Sequence, residues 1–200
     1  MALPEWHPPA RLAANDLRYA GSGELTEEPL HTAVGSALTS WEKLEIFLAH
    51  LFDALVEAKS GAAFRAYGTI QGVEARRRAI EAAASSFFRF RPDPLLANIF
   101  ALTKSYSNTA TYRNNIAHGM IISMRTEVNE IPLEERYYLG PPVYSTRRWP
   151  LVWTPDGPIQ ISEIGYIYRA RDINHCELRF EQLTTEATFL TDELKETYPV

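Results

Sequence analysis

One short segment of the sequence combines side chains that can transfer protons with side chains that can bind a phosphate. Residues 111–119 read Thr-Tyr-Arg-Asn-Asn-Ile-Ala-His-Gly, so Arg113 stands five positions before His118. A histidine with a pKa near about 6.5 accepts or donates a proton at neutral pH, and a guanidinium group binds phosphate through two parallel hydrogen bonds. Asn114 can orient the imidazole or donate to a phosphate oxygen. The segment therefore predicts a site for acid–base chemistry at a phosphate.

The spacing of Arg113 and His118 is informative only together with the surrounding residues, because the same spacing also arises by chance. Here the small residue Ala117 precedes the histidine and Gly119 follows it, at the end of a long predicted helix. A histidine in this position can also be purely structural, since the C-terminus of a helix stabilises its charged form. Arg113 can likewise be a structural ion-pair partner, and Glu45 is the acid that we expect to pair with it.

Four amphipathic helices are predicted around this segment, because apolar residues recur every three or four positions in four stretches. The first three span about 29–59, 69–89 and 94–118, and the last begins near Asp172 or Asn174. The apolar stripe of the last helix comprises Cys176, Phe180, Leu183, Ala187, Leu190 and Leu194. The third helix ends at the candidate histidine.

Local signals predict where these helices begin and end. Ser60-Gly61 should stop the first helix, and Asp93 is suited to cap the third. The string Asn174-x-x-Glu177 resembles a capping box for the last helix. The run Arg76–Arg78 in the second helix is interpreted as a face turned towards solvent.

The stretch over residues 126–170 has a different character, since prolines and glycines punctuate short runs of aromatic and β-branched residues. An Asp-Gly turn joins Leu151–Thr154 to Ile159–Tyr168 in a predicted hairpin, and Arg136–Leu139 is a further candidate strand. A small sheet of this kind is not stable alone, so we expect it to pack on the helices.

Length and composition indicate one globular domain. The chain has 200 residues, of which 46% are hydrophobic, and both values are ordinary for a single folded domain. We expect an N-terminal arm over residues 1–29 and one helical domain over 30–200. The predicted fold is mainly α, a helical bundle with a small β-hairpin insertion before the C-terminal helix.

Charge and cysteine content exclude several classes of protein. A net charge of −5 argues against a general nucleic-acid coat, although it is compatible with a local basic cleft. The single cysteine, Cys176, rules out an internal disulfide and a cysteine-based zinc cluster. No histidine or carboxylate spacing resembles a metal site, and no glycine-rich phosphate loop occurs. With no secretory signal or membrane segment in view, we expect a cytoplasmic protein without metal or cofactor.

The sequence resembles the HEPN family (higher eukaryotes and prokaryotes nucleotide-binding). The likeness rests on the Arg113–His118 signature within Arg-Asn-x-x-Ala-His-Gly, on Trp41-x-x-Leu44-Glu45 in a long early helix, and on the final amphipathic helix. It covers roughly residues 30–125 and 172–196. The resemblance implies a metal-independent endoribonuclease that works as a dimer, often in toxin–antitoxin or antiviral systems.

Helix geometry gives a physical reason for a dimer. Residues five apart lie about 140° from each other on a straight helix, so Arg113 and His118 cannot share a face, whereas Asn114 and His118 can. Two copies packed about a two-fold axis would bring both faces into one cleft. There His118 would act as base on a ribose 2′-OH or as acid for the leaving 5′-oxygen, and Arg113 would clamp the scissile phosphate. The expected product is a 2′,3′-cyclic phosphate.

Other side chains are candidates for supporting roles. Glu45 interrupts an apolar stripe, where a carboxylate is costly unless it is paired; the resemblance implies that it faces Arg113 or the cleft. Tyr112 and Tyr106, on the third helix, are candidates for stacking a base.

Two alternatives stay open at this point. One is a non-catalytic HEPN-like module that binds a nucleotide or a partner protein, and the other is an unrelated protein that reuses the bundle. A His118 that points into a solvent-open dimer cleft favours the enzyme, whereas an interior hydrogen bond favours the scaffold. The expected partners are RNA or a nucleotide, a second copy of the chain, and an antitoxin or regulatory protein.

Overall fold

Helices make up most of the residues that the structure, a computed structural model, describes. The described residues are 6–9, 21–58, 60–124, 127–128, 131–132, 134–141 and 166–199. Within them lie the helices α1 (Glu28–Leu55), α2 (Ala62–Thr69), α3 (Val73–Phe87), α4 (Leu95–His118) and α5 (Ala170–Thr197). The strands there are β1 (Met120–Met124), β2 (Glu127–Val128), β3 (Ile131–Pro132) and β4 (Arg136–Gly140). The predicted mainly α fold, with a small antiparallel hairpin before the C-terminal helix, is confirmed.

The first predicted helix is present but ends earlier than expected. α1 stops at Leu55, and Glu57 adopts a left-handed conformation with φ of 51°. Gly61 does not terminate α1; it precedes α2, with φ of 63°. The predicted second helix begins only at Val73, after Gly72 with φ of 85°. A separate short helix, α2, therefore occupies a stretch for which the sequence predicted none.

The beginning of α5 also differs from its prediction. The helix starts at Ala170, so the expected capping box at Asn174 is wrong. Asp172 takes that role, since its Oδ2 accepts a hydrogen bond of 3.0 Å from the N–H of Arg169. The Oε1 of Glu24 accepts a second, at 3.1 Å, from the N–H of Ala170. Two carboxylates thus satisfy N–H groups that the first turn of a helix leaves without partners.

The predicted cap of α4 is confirmed. Asp93 Oδ1 accepts a hydrogen bond of 2.8 Å from the N–H of Leu95, with Pro94 at the position where a missing N–H costs nothing. None of the helices in the described ranges has both the length and the apolar character that crossing a membrane requires.

The chain divides into two compact units. Unit 1 comprises Met1–His7, Thr39–Thr111 and Leu178–Val200, and unit 2 comprises Pro8–Leu38 and Tyr112–Glu177. The helices α1, α4 and α5 each contribute one segment to unit 1 and another to unit 2.

Trp41 lies at the centre of unit 1. Its ring stacks on Tyr106 of α4, with ring centres 5.2 Å apart, and meets the edge of Phe180 of α5 at 5.1 Å. Three helices therefore share one aromatic contact. All six residues of the apolar stripe predicted for the last helix are buried, at 0–2% exposure: Cys176 in unit 2, and Phe180, Leu183, Ala187, Leu190 and Leu194 in unit 1.

β4 is the central strand of unit 2. It pairs antiparallel with β1, in a register that places Met120 opposite Gly140. On its other edge, Tyr137 exchanges two backbone hydrogen bonds with Glu24, and Leu139 exchanges two with Tyr168. The strand predicted at Arg136–Leu139 is confirmed, whereas most of the hairpin predicted over 151–168 lies outside the described residues.

α4 passes into β1 through one residue, Gly119. A Cβ atom there would lie 2.8 Å from the carbonyl oxygen of Asn115 and 2.8 Å from Cγ of Leu139. Its backbone is not left-handed, unlike that of Gly61 or Gly72. Gly119 is therefore required by lack of space, and not by an unusual backbone conformation.

We expect Gly119→Ala to destabilise the protein by about 1–3 kcal/mol, because the added methyl group overpacks a closed contact. Gly35→Ala is the matched control, since Gly35 lies within α1 and a Cβ there meets nothing within 4 Å. That change should stabilise by about 0.5–1 kcal/mol, as alanine loses less backbone entropy in a helix. Urea unfolding measures both; equal effects of the two substitutions would contradict the tight junction.

Candidate functional site

The end of α4 presents the predicted site residues at the surface of unit 2. Asn114 and His118 are exposed, and Arg113 and Tyr112 are half-buried. Arg113 Nη1 donates a hydrogen bond of 3.2 Å to Oδ1 of Asn114. The long arginine side chain thus reaches the amide that shares an outer face with His118. The guanidinium of Arg113 therefore contacts the amide of Asn114, and the exposed imidazole of His118 lies on the same helix face as Asn114.

Behind this surface, Asn115 is held by two tyrosines. Its Nδ2 donates a hydrogen bond of 3.1 Å to the hydroxyl of Tyr168, and the hydroxyl of Tyr166 donates one of 3.3 Å to its main-chain oxygen. The two rings lie 5.0 Å apart, and Tyr168 is 1% exposed. Burial raises the pKa of Tyr166 to about 12, so this hydroxyl stays protonated and able to donate.

Sequence reasoning missed Asn115 as a site-related residue. Tyr168, which accepts its hydrogen bond, lies 53 positions further along the chain, and no local sequence pattern predicts such a pair. The only available signal was the presence of a second asparagine directly after Asn114 inside the signature.

Glu45 is buried in unit 1 and is held by α3 and α4. Tyr106 donates a hydrogen bond of 2.6 Å to its Oε1, and Nη1 of Arg76 lies 2.8 Å from its Oε2. Arg76 also donates through Nε to the carbonyl of Ile70 at 2.9 Å. Burial raises the pKa of Glu45, although Tyr106 and Arg76 both act to lower it.

This arrangement corrects three interpretations of the sequence. The ionic partner of Glu45 is Arg76, where the sequence indicated Arg113. Arg76 is not a solvent-facing residue, whereas Arg78 is, with 74% of its side chain exposed. Tyr106 is completely buried, so it cannot stack a base. Glu45 therefore has a structural role in unit 1, and its supporting role in chemistry stays a prediction.

No family model matches this sequence, and the comparisons with curated proteins and with solved structures gave no match. In the described part of the chain, no group of three or more histidine, cysteine or carboxylate side chains is arranged to hold a metal ion.

We expect Glu45→Gln to flatten the dependence of stability on pH. The pKa of Glu45 is higher in the folded protein than its usual value of 4.5, so the folded state binds this proton more tightly than the unfolded chain does. The free energy of unfolding must then fall as the pH rises from 4.5 through the folded-state pKa. Glutamine removes this fall and still accepts from Tyr106. Chemical unfolding at a series of pH values measures how the free energy of unfolding depends on pH in each variant.

The matched control for this experiment is Glu28→Gln, an exposed position at the start of the same helix. Glu28→Gln should keep the fall in stability that Glu45 causes, because Glu28 is not among the groups that act on the pKa of Glu45. A Glu45→Gln profile parallel to that of the wild type would show that Glu45 does not titrate differently in the folded state.

Proposed function

We propose that this protein is a metal-independent endoribonuclease of the HEPN type that acts as a homodimer. One observation carries the proposal: His118 is exposed beside Asn114, and Asn114 is hydrogen-bonded to Arg113. Phosphodiester cleavage by a neighbouring 2′-OH needs proton transfer and stabilisation of charge on the phosphate, and these side chains supply both. The resemblance of the Arg113–His118 segment to the HEPN signature supports the choice of RNA as substrate.

In the proposed reaction the ribose 2′-oxygen attacks the adjacent phosphorus atom. One His118 imidazole takes the 2′-OH proton, and a second His118, from the other copy, gives a proton to the leaving 5′-oxygen. One P–O bond forms at the 2′-oxygen and one P–O bond breaks at the 5′-oxygen, so the products are a 2′,3′-cyclic phosphate and a 5′-OH. Arg113 binds the non-bridging oxygens, where negative charge builds up in the transition state.

A second copy of the chain has a suitable surface to approach. In unit 2, Asn114 and His118 are exposed and lie about one turn apart on one face of α4. Two such faces meeting about a two-fold axis near His118 would place two imidazoles and two guanidinium groups in one cleft.

The resemblance to the HEPN family also suggests a biological role. HEPN ribonucleases often act as toxins or in antiviral defence, and we propose such a role here. An antitoxin or regulatory protein would then be the expected partner. A cytoplasmic location is part of this proposal, because its substrate is cellular RNA and the single cysteine needs no oxidising compartment.

We expect the wild-type protein to cut total RNA in the presence of EDTA and to leave 2′,3′-cyclic phosphate ends. His118→Ala should lower the rate by about 10²–10⁴-fold because the proton carrier is lost. Arg113→Ala should lower it by about 10²–10³-fold because charge on the phosphate is no longer stabilised. Gel analysis of the fragments, with enzymatic mapping of their ends, measures these effects.

His31→Ala is the matched control, since 69% of the His31 side chain is exposed and it lies on another helix. It should cut like the wild type. If wild-type protein binds RNA or a nucleotide without cutting it, the result favours the alternative hypothesis of a non-catalytic HEPN-like binding module. Equal cutting by wild type and His118→Ala would point to a contaminating nuclease and contradict the assignment.

The composite site predicts complementation between two inactive variants. Arg113→Ala and His118→Ala, unfolded together and refolded as a mixture, should recover activity above that of either variant alone. The reason is that a mixed dimer retains one guanidinium and one imidazole in the same cleft, whereas each parent variant has lost one kind of group entirely. The recovery should be partial, because one of the two proton carriers is still absent. Activity that never exceeds the sum of the two variants would argue for a site within one chain.

A further inference from the structure

The backbone around His118 belongs to a closed loop of covalent and hydrogen bonds. From Asn115 the chain runs through His118 and Gly119 to Met120, the first residue of β1. Met120 is paired with Gly140 of β4. The neighbouring Leu139 exchanges backbone hydrogen bonds of 2.9 and 2.8 Å with Tyr168. The Tyr168 hydroxyl then accepts the bond of Asn115 and closes what we term the Asn115 circuit.

The part of the Asn115 circuit that lies on β4 and at Tyr168 is buried. Leu139, Gly140 and Tyr168 are buried, so water cannot easily replace their hydrogen bonds. Gly119 has no room for a Cβ atom between Leu139 and the carbonyl of Asn115. The circuit therefore fixes the main chain on both sides of His118, three residues before it and one residue after it.

Tyr166 strengthens the circuit at the end of the helix. The last four carbonyl groups of an α-helix have no partner within the helix, and that of Asn115 is one of them. The Tyr166 hydroxyl donates to it at 3.3 Å, while its ring packs on Tyr168. Tyr168 thus binds the side chain of Asn115, and Tyr166 binds its main chain.

We propose that Asn115, Tyr166 and Tyr168 are positioning residues for His118, a role that rests on the proposed ribonuclease function. None of the three needs to touch RNA. They hold the turn that carries Arg113, Asn114 and His118 against the β1–β4 hairpin. Groups that fix the orientation of a catalytic residue typically change activity by about 10–100-fold when they are removed.

The test compares Tyr168→Phe and Tyr166→Phe with Tyr198→Phe. Each substitution removes one hydroxyl hydrogen bond, and that of Tyr198 goes to Asp93 in unit 1 at 2.7 Å. Two properties are measured: kcat and KM on a labelled oligoribonucleotide that the wild type cuts, and the imidazole signals of His118 in two-dimensional NMR spectra. The His118 signals are identified by their absence in His118→Gln.

We expect Tyr168→Phe to lower kcat by about 10-fold with little change in KM, since a displaced imidazole affects the transition state more than RNA binding. The His118 signals should shift or broaden in Tyr168→Phe and Tyr166→Phe, and stay unchanged in Tyr198→Phe. A general loss of stability would not produce this difference, because Tyr198→Phe also removes a hydroxyl group that makes a hydrogen bond, in unit 1.

The NMR arm does not need an active enzyme. If the wild type cuts RNA and Tyr168→Phe matches Tyr198→Phe in kcat and spectrum, positioning is overturned while the ribonuclease stands. If the wild type does not cut RNA, the proposed function fails, and the His118 signals alone decide whether the Asn115 circuit positions this side chain.

Discussion

The candidate site depends on how closely Gly119 allows the end of α4 to approach β4. With no Cβ at this position, the carbonyl of Asn115 and the side chain of Leu139 can almost meet across it. A helix can then pass into a strand without a loop, and His118 becomes the last residue of a rigid element. Residues that must keep a fixed geometry gain from this arrangement, because a loop would add freedom that binding would have to remove.

Unit 1 is organised by a different constraint, the burial of a charge. A carboxylate in an apolar core is tolerated only where hydrogen bonds and an opposite charge replace its water. Glu45 finds both, from Tyr106 and Arg76. Arrangements of α1, α3 and α4 that fail to supply these partners are therefore strongly disfavoured. The stacking of Trp41 on Tyr106 favours the same arrangement of α1 and α4.

The sequence was sufficient for features whose cause is local. Apolar periodicity predicted the long helices and the buried face of α5, and Asp93 predicted the cap of α4. It placed Asn114 and His118 on one face of the helix, which agrees with their exposure. Periodicity did not predict α2, because eight residues containing a glycine give too few turns for a pattern.

Features that depend on distant partners could not be predicted. Arg76 looked like one of three surface arginines because nothing near it in sequence marks Glu45 as its partner. The start of α5 was misplaced because its first N–H groups are satisfied by Asp172 and by Glu24, a residue far away in the chain. The Asn115–Tyr168 bond was invisible for the same reason.

The hydrogen bond between Glu24 and Ala170 joins residues separated by 146 positions. A ribosome that has made Glu24, His118 and β1 has therefore not yet made β4 and the start of α5, which complete unit 2. Tyr168, which closes the contact with Asn115, also emerges late. The chain thus carries its candidate reactive histidine without the surroundings that the finished fold provides until Tyr168 has been made. If the proposed ribonuclease function holds, this order of assembly would delay activity until Tyr168 has left the ribosome, which is itself rich in RNA.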